Sequence, residues 1–196
     1  MKLTEVVFAS HNIGKIKEIK ELLEPLGIKV KSALDMNLPH VEETGATFAE
    51  NSLLKSQTIA KITGVPCLAD DSGLCVDALN GAPGVYSARY APNRDFDKGM
   101  EMLLAEMAKS PDKSRSAHFS CVISLAWPDG KFETFEGRVE GKIAFEKQGN
   151  GGFGYDPLFV PDGFACSFAQ MSKEEKNKIS HRGRAVEKLT AYLKSL

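Results

Sequence analysis

Cysteine is scarce in this chain and badly spaced for metal. Cys67, Cys75, Cys121 and Cys166 lie too far apart for a Cys-x-x-Cys site, and each sits among apolar residues of an expected strand or its flank. Thiolate zinc ligation is therefore excluded, and reduced core thiols are expected. Long apolar runs are missing as well. None approaches the span of a bilayer, and the opening Met1-Lys2-Leu3-Thr4-Glu5-Val6-Val7-Phe8-Ala9 has neither a long apolar segment nor a cleavage site, so a soluble cytoplasmic protein with no membrane partner is expected. Nor does charge of one sign dominate: 25 Lys and Arg face 26 Asp and Glu, a net charge of -1. That balance removes the reason to expect a polyanion-coating protein or a nucleic-acid partner, and any basic site must be local. The dinucleotide signature Gly-x-Gly-x-x-Gly, the Gly-Lys-Ser/Thr phosphate loop, internal repeats, low-complexity tracts and linkers are all absent. What is present is 196 residues, 42% hydrophobic, which fits one large domain, or two closely packed lobes of one domain, over residues 1–196. A chain of that length buries roughly 70% of its unfolded surface.

The most unusual stretch is Pro66-Cys67-Leu68-Ala69-Asp70-Asp71-Ser72-Gly73-Leu74, which reads as a short apolar strand ending in two adjacent carboxylates and a glycine turn. Neighbouring carboxylates repel, and at the edge of a buried sheet they also lose solvation. They are tolerated best opposite a cation or a set of donors, and the simplest such cation is Mg²⁺. The plain alternative is a polar turn in which Asp70 and Ser72 cap the backbone and Asp71 is solvated.

Leu3 to Ala9 is a β-prone run that passes through Ser10-His11-Asn12-Ile13-Gly14 into a segment with Ile16, Ile19, Leu22, Leu23 and Leu26 at helical spacing. A strand–loop–helix junction of this kind points N–H groups and the positive helix end beyond the strand, and Lys15 adds a full charge. A capping Ser or Asn with a solvated lysine explains the same residues. Ile28 to Ser32 follows as a second strand, then the acidic turn Glu42-Glu43-Thr44-Gly45. Thr47 and Glu50 form a capping box opening a helix to about Thr63, with Phe48, Leu53 or Leu54, Ile59 and Ile62 as its apolar face and Lys55 in its middle. The long connector from Val76 to Tyr90 offers Tyr86 and Tyr90 for a subunit contact. Asp95 caps a helix striped with Phe96, Met100, Leu103, Leu104 and Met107.

Ala117 to Trp127 alternates as a strand with one buried side, turns at Pro128-Asp129-Gly130, and returns as Phe132 to Phe145 with breaks at Gly137 and Gly141. Helices between early strands and a meander in the middle predict an α/β fold with a long, twisted, mixed sheet. Gly149 to Pro157 then sets Phe153, Tyr155 and Asp156 among four glycines, a candidate wall for a nucleobase. Ser172 to Lys176 holds another capping box. Ser180-His181-Arg182-Gly183-Arg184 opens a last helix on Val186, Leu189 and Leu193, and its basic first turn conflicts with the helix dipole, a conflict that a bound anion would relieve and that a solvated turn would bear at small cost.

Together, Lys15, Lys176 and Arg182, the acids Glu42, Glu43, Asp70 and Asp71, and the wall from Phe153 to Asp156 suit a nucleoside triphosphate with its metal. In order along the chain, Ser10-x-Asn12-x-x-Lys15, Glu42-Glu43-Thr44-Gly45, Thr47-Phe48-x-Glu50-Asn51, Ala69 to Leu74, Gly81-Ala82-Pro83-Gly84, Tyr86 to Tyr90, Gly151 to Pro157 and Ser180-His181-Arg182 resemble the signature of the inosine/xanthosine triphosphate pyrophosphatases, the Ham1-like family acting on non-standard purine triphosphates. His11 departs from that pattern, at a loop position where a smaller residue is expected. The resemblance implies two lobes with an active-site cleft between them, a homodimer, and Mg²⁺-dependent hydrolysis of ITP, dITP or XTP to the monophosphate and pyrophosphate. It makes Asp71 the general base and a metal ligand, with Glu42 as the second metal contact. Substrate contacts fall to the loop Ser10, His11, Asn12, Ile13, Gly14 and Lys15, to Lys55 and Lys176 on the phosphates, to Ser72, to Phe153, Gly154 and Tyr155 at the base, and to Asp156, His181 and Arg182 at its edge. Two alternatives stand beside it: a metal-dependent phosphatase that releases inorganic phosphate from a nucleotide or sugar phosphate, and a nucleotide sensor without catalysis.

Overall fold

Glu5–Phe8 forms β1, with Val6, Val7 and Phe8 fully buried, and a polar loop carries the chain into α1 (Ile13–Leu23). The structure is a computed structural model and describes residues 3–195. α1 buries Ile16, Ile19 and Leu23, and the chain reverses at Gly27, whose φ of 78° suits glycine. β2 (Lys29–Ser32) then returns parallel to β1, with Val6 opposite Val30. The next elements are α2 (Phe48–Thr63), β3 (Cys67–Val76), α3 (Phe96–Lys109), β4 (Ser116–Ala126) and β5 (Phe132–Ile143). β6 (Phe159–Pro161), α4 (Lys173–Ile179) and α5 (His181–Ser195) complete the chain. The six strands lie in the order β2-β1-β3-β4-β5-β6. β1 is parallel to β2 and β3 while β6 is antiparallel to β5, so the sheet is mixed and the α/β expectation holds.

Two compact units divide the chain. The first comprises residues up to Asp71, Val122–Glu136 and the residues from Ala185 on, and it packs Val7, Ile59, Ala60, Cys67 and Ala126 together. The second, Ser72–Cys121 with Gly137–Arg184, is built on Leu74, Met100, Leu103, Phe119, Phe159 and Phe168 among others. There the methionines of α3 are core filler, as the stripe predicts, and the Phe119 and Phe159 rings meet edge to face at 4.8 Å.

Four expectations are corrected. β3 does not end at the paired acids: it runs unbroken through Asp70-Asp71-Ser72-Gly73 to Val76, so the expected turn is mid-strand. β5 likewise passes through Gly137 and Gly141 without a break. At Gly141 a Cβ would stand 2.4 Å from the Val160 carbonyl oxygen, so glycine there admits β6 rather than ending β5. β4 is buried on both faces from Phe119 to Ala126, not on one. Finally, α2 buries Asn51, Ser52, Ser56, Ile59 and Ala60, while Ile62 is exposed. The last two share a cause. Ser52 Oγ donates to the Ala69 carbonyl at 3.0 Å and lies 2.8 Å from Ser124 Oγ, which in turn donates to Ser56 Oγ at 2.8 Å. Hydroxyls with every partner supplied can form an interior face, so α2 docks polar residues onto the second side of β4.

Candidate active site

In the first unit, β1 stops where β3 continues. Only Val7 with Cys67 and Phe8 with Leu68 are in register, so Asp70 and Asp71 lie just past the end of β1, beside the loop that leaves it. Successive strand residues face opposite sides, and that separates the two acids. Asp70 takes Lys15 at 2.8 Å, whereas Asp71 Oδ1 lies 3.9 Å from Lys55 Nζ. Lys55 reaches from α2 to Glu43 at 2.5 Å and to the Asp70 carbonyl at 2.8 Å. Burial alone would pull its ammonium down, but the charges of Asp70, Asp71 and Glu43 overcome that and hold its pKa above the ordinary value. Asp71 goes the other way. Desolvation raises its carboxyl to about 6, with Glu43 adding to the rise and Lys55, Asn51 and Lys15 opposing it. A lysine 3.9 Å off does not outweigh the loss of water around a carboxyl only 7% exposed.

The loop beside them is organised by its own side chains. Asn12 caps α1 by accepting the Lys15 N–H at 3.1 Å, and Ser10 Oγ accepts the Asn12 N–H at 3.2 Å. The helix entrance remains open, with Asn12, Ile13 and Gly14 exposed. His11 acts locally, since its ring stacks on His40 at 3.7 Å and its Nε2 lies 3.0 Å from the Leu38 carbonyl oxygen. That ties the loop to the segment leading into Glu42 and Glu43. Glu42 itself is exposed, and Glu43 is the acid joined to Lys55.

In the second unit, Phe153 presents a half-exposed ring, and its N–H donates to Asp156 Oδ2 at 2.9 Å. Gly152 makes room for this, with φ of +69° and a Cβ position that would fall 2.1 Å from the same oxygen. Lys176 ion-pairs with Asp156 and sets its ammonium 4.7 Å from the Phe153 ring centre, and the Arg182 guanidinium lies 5.5 Å from that centre. Lys176 thus stands with Asp156 and Phe153. His181 is buried and stacks on Phe119 at 4.7 Å. Tyr155 is not part of an exposed wall. It lies 2% exposed in the core, its hydroxyl donates to the Ser87 carbonyl at 3.0 Å, and burial drives its pKa up. Packing claims it beside α3, where Phe96 meets it edge to face. Gly154 and Ser72 are half-buried.

Among the described residues, no three His, Cys, Asp or Glu side chains converge as a ligand group. Mg²⁺ does not require three. It is held through one or two carboxylates, waters and substrate phosphates, and Asp71 with the Glu42–Glu43 pair supplies hard oxygen donors of that kind. One neighbour of this centre carries no role in the sequence reading. Asn51 is fully buried and adjoins Asp71, and its place one helical turn before Lys55 is the signal that would have found it.

By its architecture this is an α/β protein with helices around a mixed sheet, its acids and cations collected along β3 and its exposed ring and basic groups around a glycine-rich loop. Within that class the chain belongs to the Ham1 family, whose model matches residues 6–192. It is 50% identical over 188 residues to a dITP/XTP pyrophosphatase of Zymomonas mobilis, covering 95% of this chain and 90% of that one. Against the dITP/XTP pyrophosphatase of Streptomyces coelicolor it is 44% identical over 198 residues, 99% of each chain. Among solved structures, a HAM1 protein from Coxiella burnetii superposes with a TM-score of 0.94 at 43% identity, covering 99% of this chain and all of that one.

Proposed function

We propose that this protein hydrolyses non-standard purine nucleoside triphosphates, ITP, dITP and XTP, to the monophosphate and pyrophosphate with Mg²⁺, as a cytoplasmic homodimer that clears such purines from the nucleotide pool. It is a hydrolase of nucleoside triphosphates in this reading, and the observation that carries it is Asp71. A carboxyl with its pKa raised to about 6, backed by Lys55 and set beside an open helix entrance, is poised to accept a proton near neutral pH. The names of the relatives point to the same substrates.

The remaining groups divide the work. Asp71 orients the attacking water and takes its proton. Asp71 and Glu42 would hold Mg²⁺, which when bound screens the phosphate charge and makes nearby water more acidic. Lys15 and Lys55 exchange their carboxylate partners for phosphate oxygens and offset charge on the departing pyrophosphate, with Ser10, Asn12 and the open N–H groups of α1 holding the chain of phosphates. Phe153 stacks on the base, and Lys176, His181 and Arg182 present donors to its edge, with Asp156 holding Lys176 in place. Hypoxanthine and xanthine carry an acceptor at position 6 where adenine carries an amino donor, so a donor-rich edge leaves groups unpaired against ATP. Tyr86, 59% exposed under the Arg89 guanidinium, offers the second subunit a contact of suitable chemistry.

A hydrolysis panel of ITP, dITP, XTP, ATP and GTP with product analysis tests this reading. Pyrophosphate from the first three, little from ATP, and loss of turnover in excess EDTA are expected. Inorganic phosphate as the first product would replace it with a phosphatase, and EDTA-resistant turnover would remove the metal.

A further inference from the structure

Helix α2 reaches the acidic centre twice from one face. Lys55 spans two segments, holding Glu43 at 2.5 Å on one side and the Asp70 carbonyl at 2.8 Å on the other. Asn51, four residues earlier and therefore on the same face, spans the same two. Its Oδ1 accepts the Gly45 N–H at 2.7 Å, two residues beyond Glu43. A Cβ at Gly45 would fall 2.6 Å from Glu50 Cβ and 2.8 Å from Asn51 Oδ1, so glycine is what lets the acidic segment come down onto the helix. The other end of the amide is unfinished: Asn51 is 0% exposed, and its Nδ2 makes no hydrogen bond. A buried donor without a full acceptor is a net cost to the fold. The serines around it show that this part of α2 otherwise satisfies its polar atoms, since Ser52 and Ser56 are both bonded to Ser124. The group adjoining the amide is the Asp71 carboxyl, whose charged form it favours as a side-chain hydrogen-bond donor held short of full bonding geometry.

We propose that Asn51 is a positioning residue for the hydrolysis: with substrate bound, Nδ2 donates to the Asp71 carboxylate and fixes which oxygen meets the reacting water, while Oδ1 holds the Glu43–Gly45 segment against α2. The inference rests on Asp71 being the base. A buried donor that faces the Asp71 carboxyl without full bonding geometry is then explained, because the bond closes only in the loaded enzyme. Asn51 touches neither substrate nor water, so its effect belongs in the chemical step and not in affinity.

Asn51→Asp keeps an acceptor for the Gly45 N–H and removes the donor, whereas Asn51→Leu removes both at nearly constant volume. Steady-state kinetics with dITP and saturating Mg²⁺, alongside far-UV circular dichroism and thermal melting, are expected to show kcat lower by at least about tenfold in both variants, with KM within about threefold of wild type. If Asn51→Asp keeps wild-type kcat, the amide is only a clamp on the acidic segment and the proposal is overturned. A rise in KM at constant kcat overturns it too, by making Asn51 a substrate contact. Should Asn51→Asp fail to fold, Asn51→Leu carries the test, and unchanged kcat there is equally fatal. The wild-type arm separates the two ideas: an enzyme that releases pyrophosphate from dITP while Asn51 proves silent loses only this inference, and a wild type inert towards dITP loses the reading beneath it and this inference with it.

Discussion

Asp70 and Asp71 are chemically identical and adjacent, yet the strand gives them different work. Asp70 is neutralised by Lys15 at 2.8 Å, while Asp71 has its lysine at 3.9 Å and little water, which is why its carboxyl rises to about 6. That rise has a sign for stability. Below pH 3.8 the carboxyl is protonated folded or unfolded; as pH rises through about 6 the folded protein must ionise a buried acid that the unfolded chain ionises freely. The stabilisation tied to the protonated form is thus present below 3.8 and gone above 6, on the order of 3 kcal/mol. Asp71→Asn is therefore expected to raise the unfolding free energy of the metal-free protein by about 1–3 kcal/mol at pH 7.5, read by urea denaturation, even as it removes turnover. The same carboxyl sets an acid limb. In the free enzyme kcat/KM should fall roughly tenfold per pH unit below about 6, and a profile flat down to pH 5 would show that Asp71 is not the base.

At the scale of elements, α2 is held by hydroxyls as well as by Ile59 and Ala60. Ser124 Oγ bridges Ser52 and Ser56, so Ser124→Ala leaves two buried hydroxyls short of a partner and should cost about 1–2 kcal/mol by chemical denaturation, more than its lost volume explains. Of the expected apolar face, Phe48, Leu53 or Leu54, Ile59 and Ile62, Ile59 is buried; the serine part of the face was illegible, because nothing local says that Ser52 and Ser56 meet a serine on a strand far along the chain. The capping boxes at Thr47 with Glu50 and at Ser172 with Glu175 were legible, as was Asp95 at the head of α3, since each bond closes within three residues. β3 shows the limit most clearly. Asp-Asp-Ser-Gly has turn composition, and only the ladder formed with distant strands keeps it extended through Val76. For the site, Lys15, Lys55 and Asp71 were readable as types in a pattern. The core placement of Tyr155 and the pairing of Lys176 with Asp156 were not, because both depend on what packs beside α3 and α4 rather than on spacing.

At the scale of the whole molecule, the chain spans nearly the full length of its Ham1 relatives and matches their fold. Each unit carries its own core, with Asp71, Lys15 and Lys55 in or on the first and Phe153, Lys176 and Arg182 in the second. With a net charge of -1 the molecule exerts no strong general pull on an anion. Substrate capture then depends on local cations, and Lys15→Ala should raise KM for dITP several-fold while leaving ring recognition, read as the dITP to dATP preference, unchanged. The decisive experiment follows dITP by phosphorus NMR with wild-type and Asp71→Asn protein side by side in Mg²⁺. Pyrophosphate and dIMP should appear with the wild type, and neither with a folded variant. Inorganic phosphate as the first product, or near-normal turnover by the variant, would refute hydrolysis at the α–β bond with Asp71 as its base.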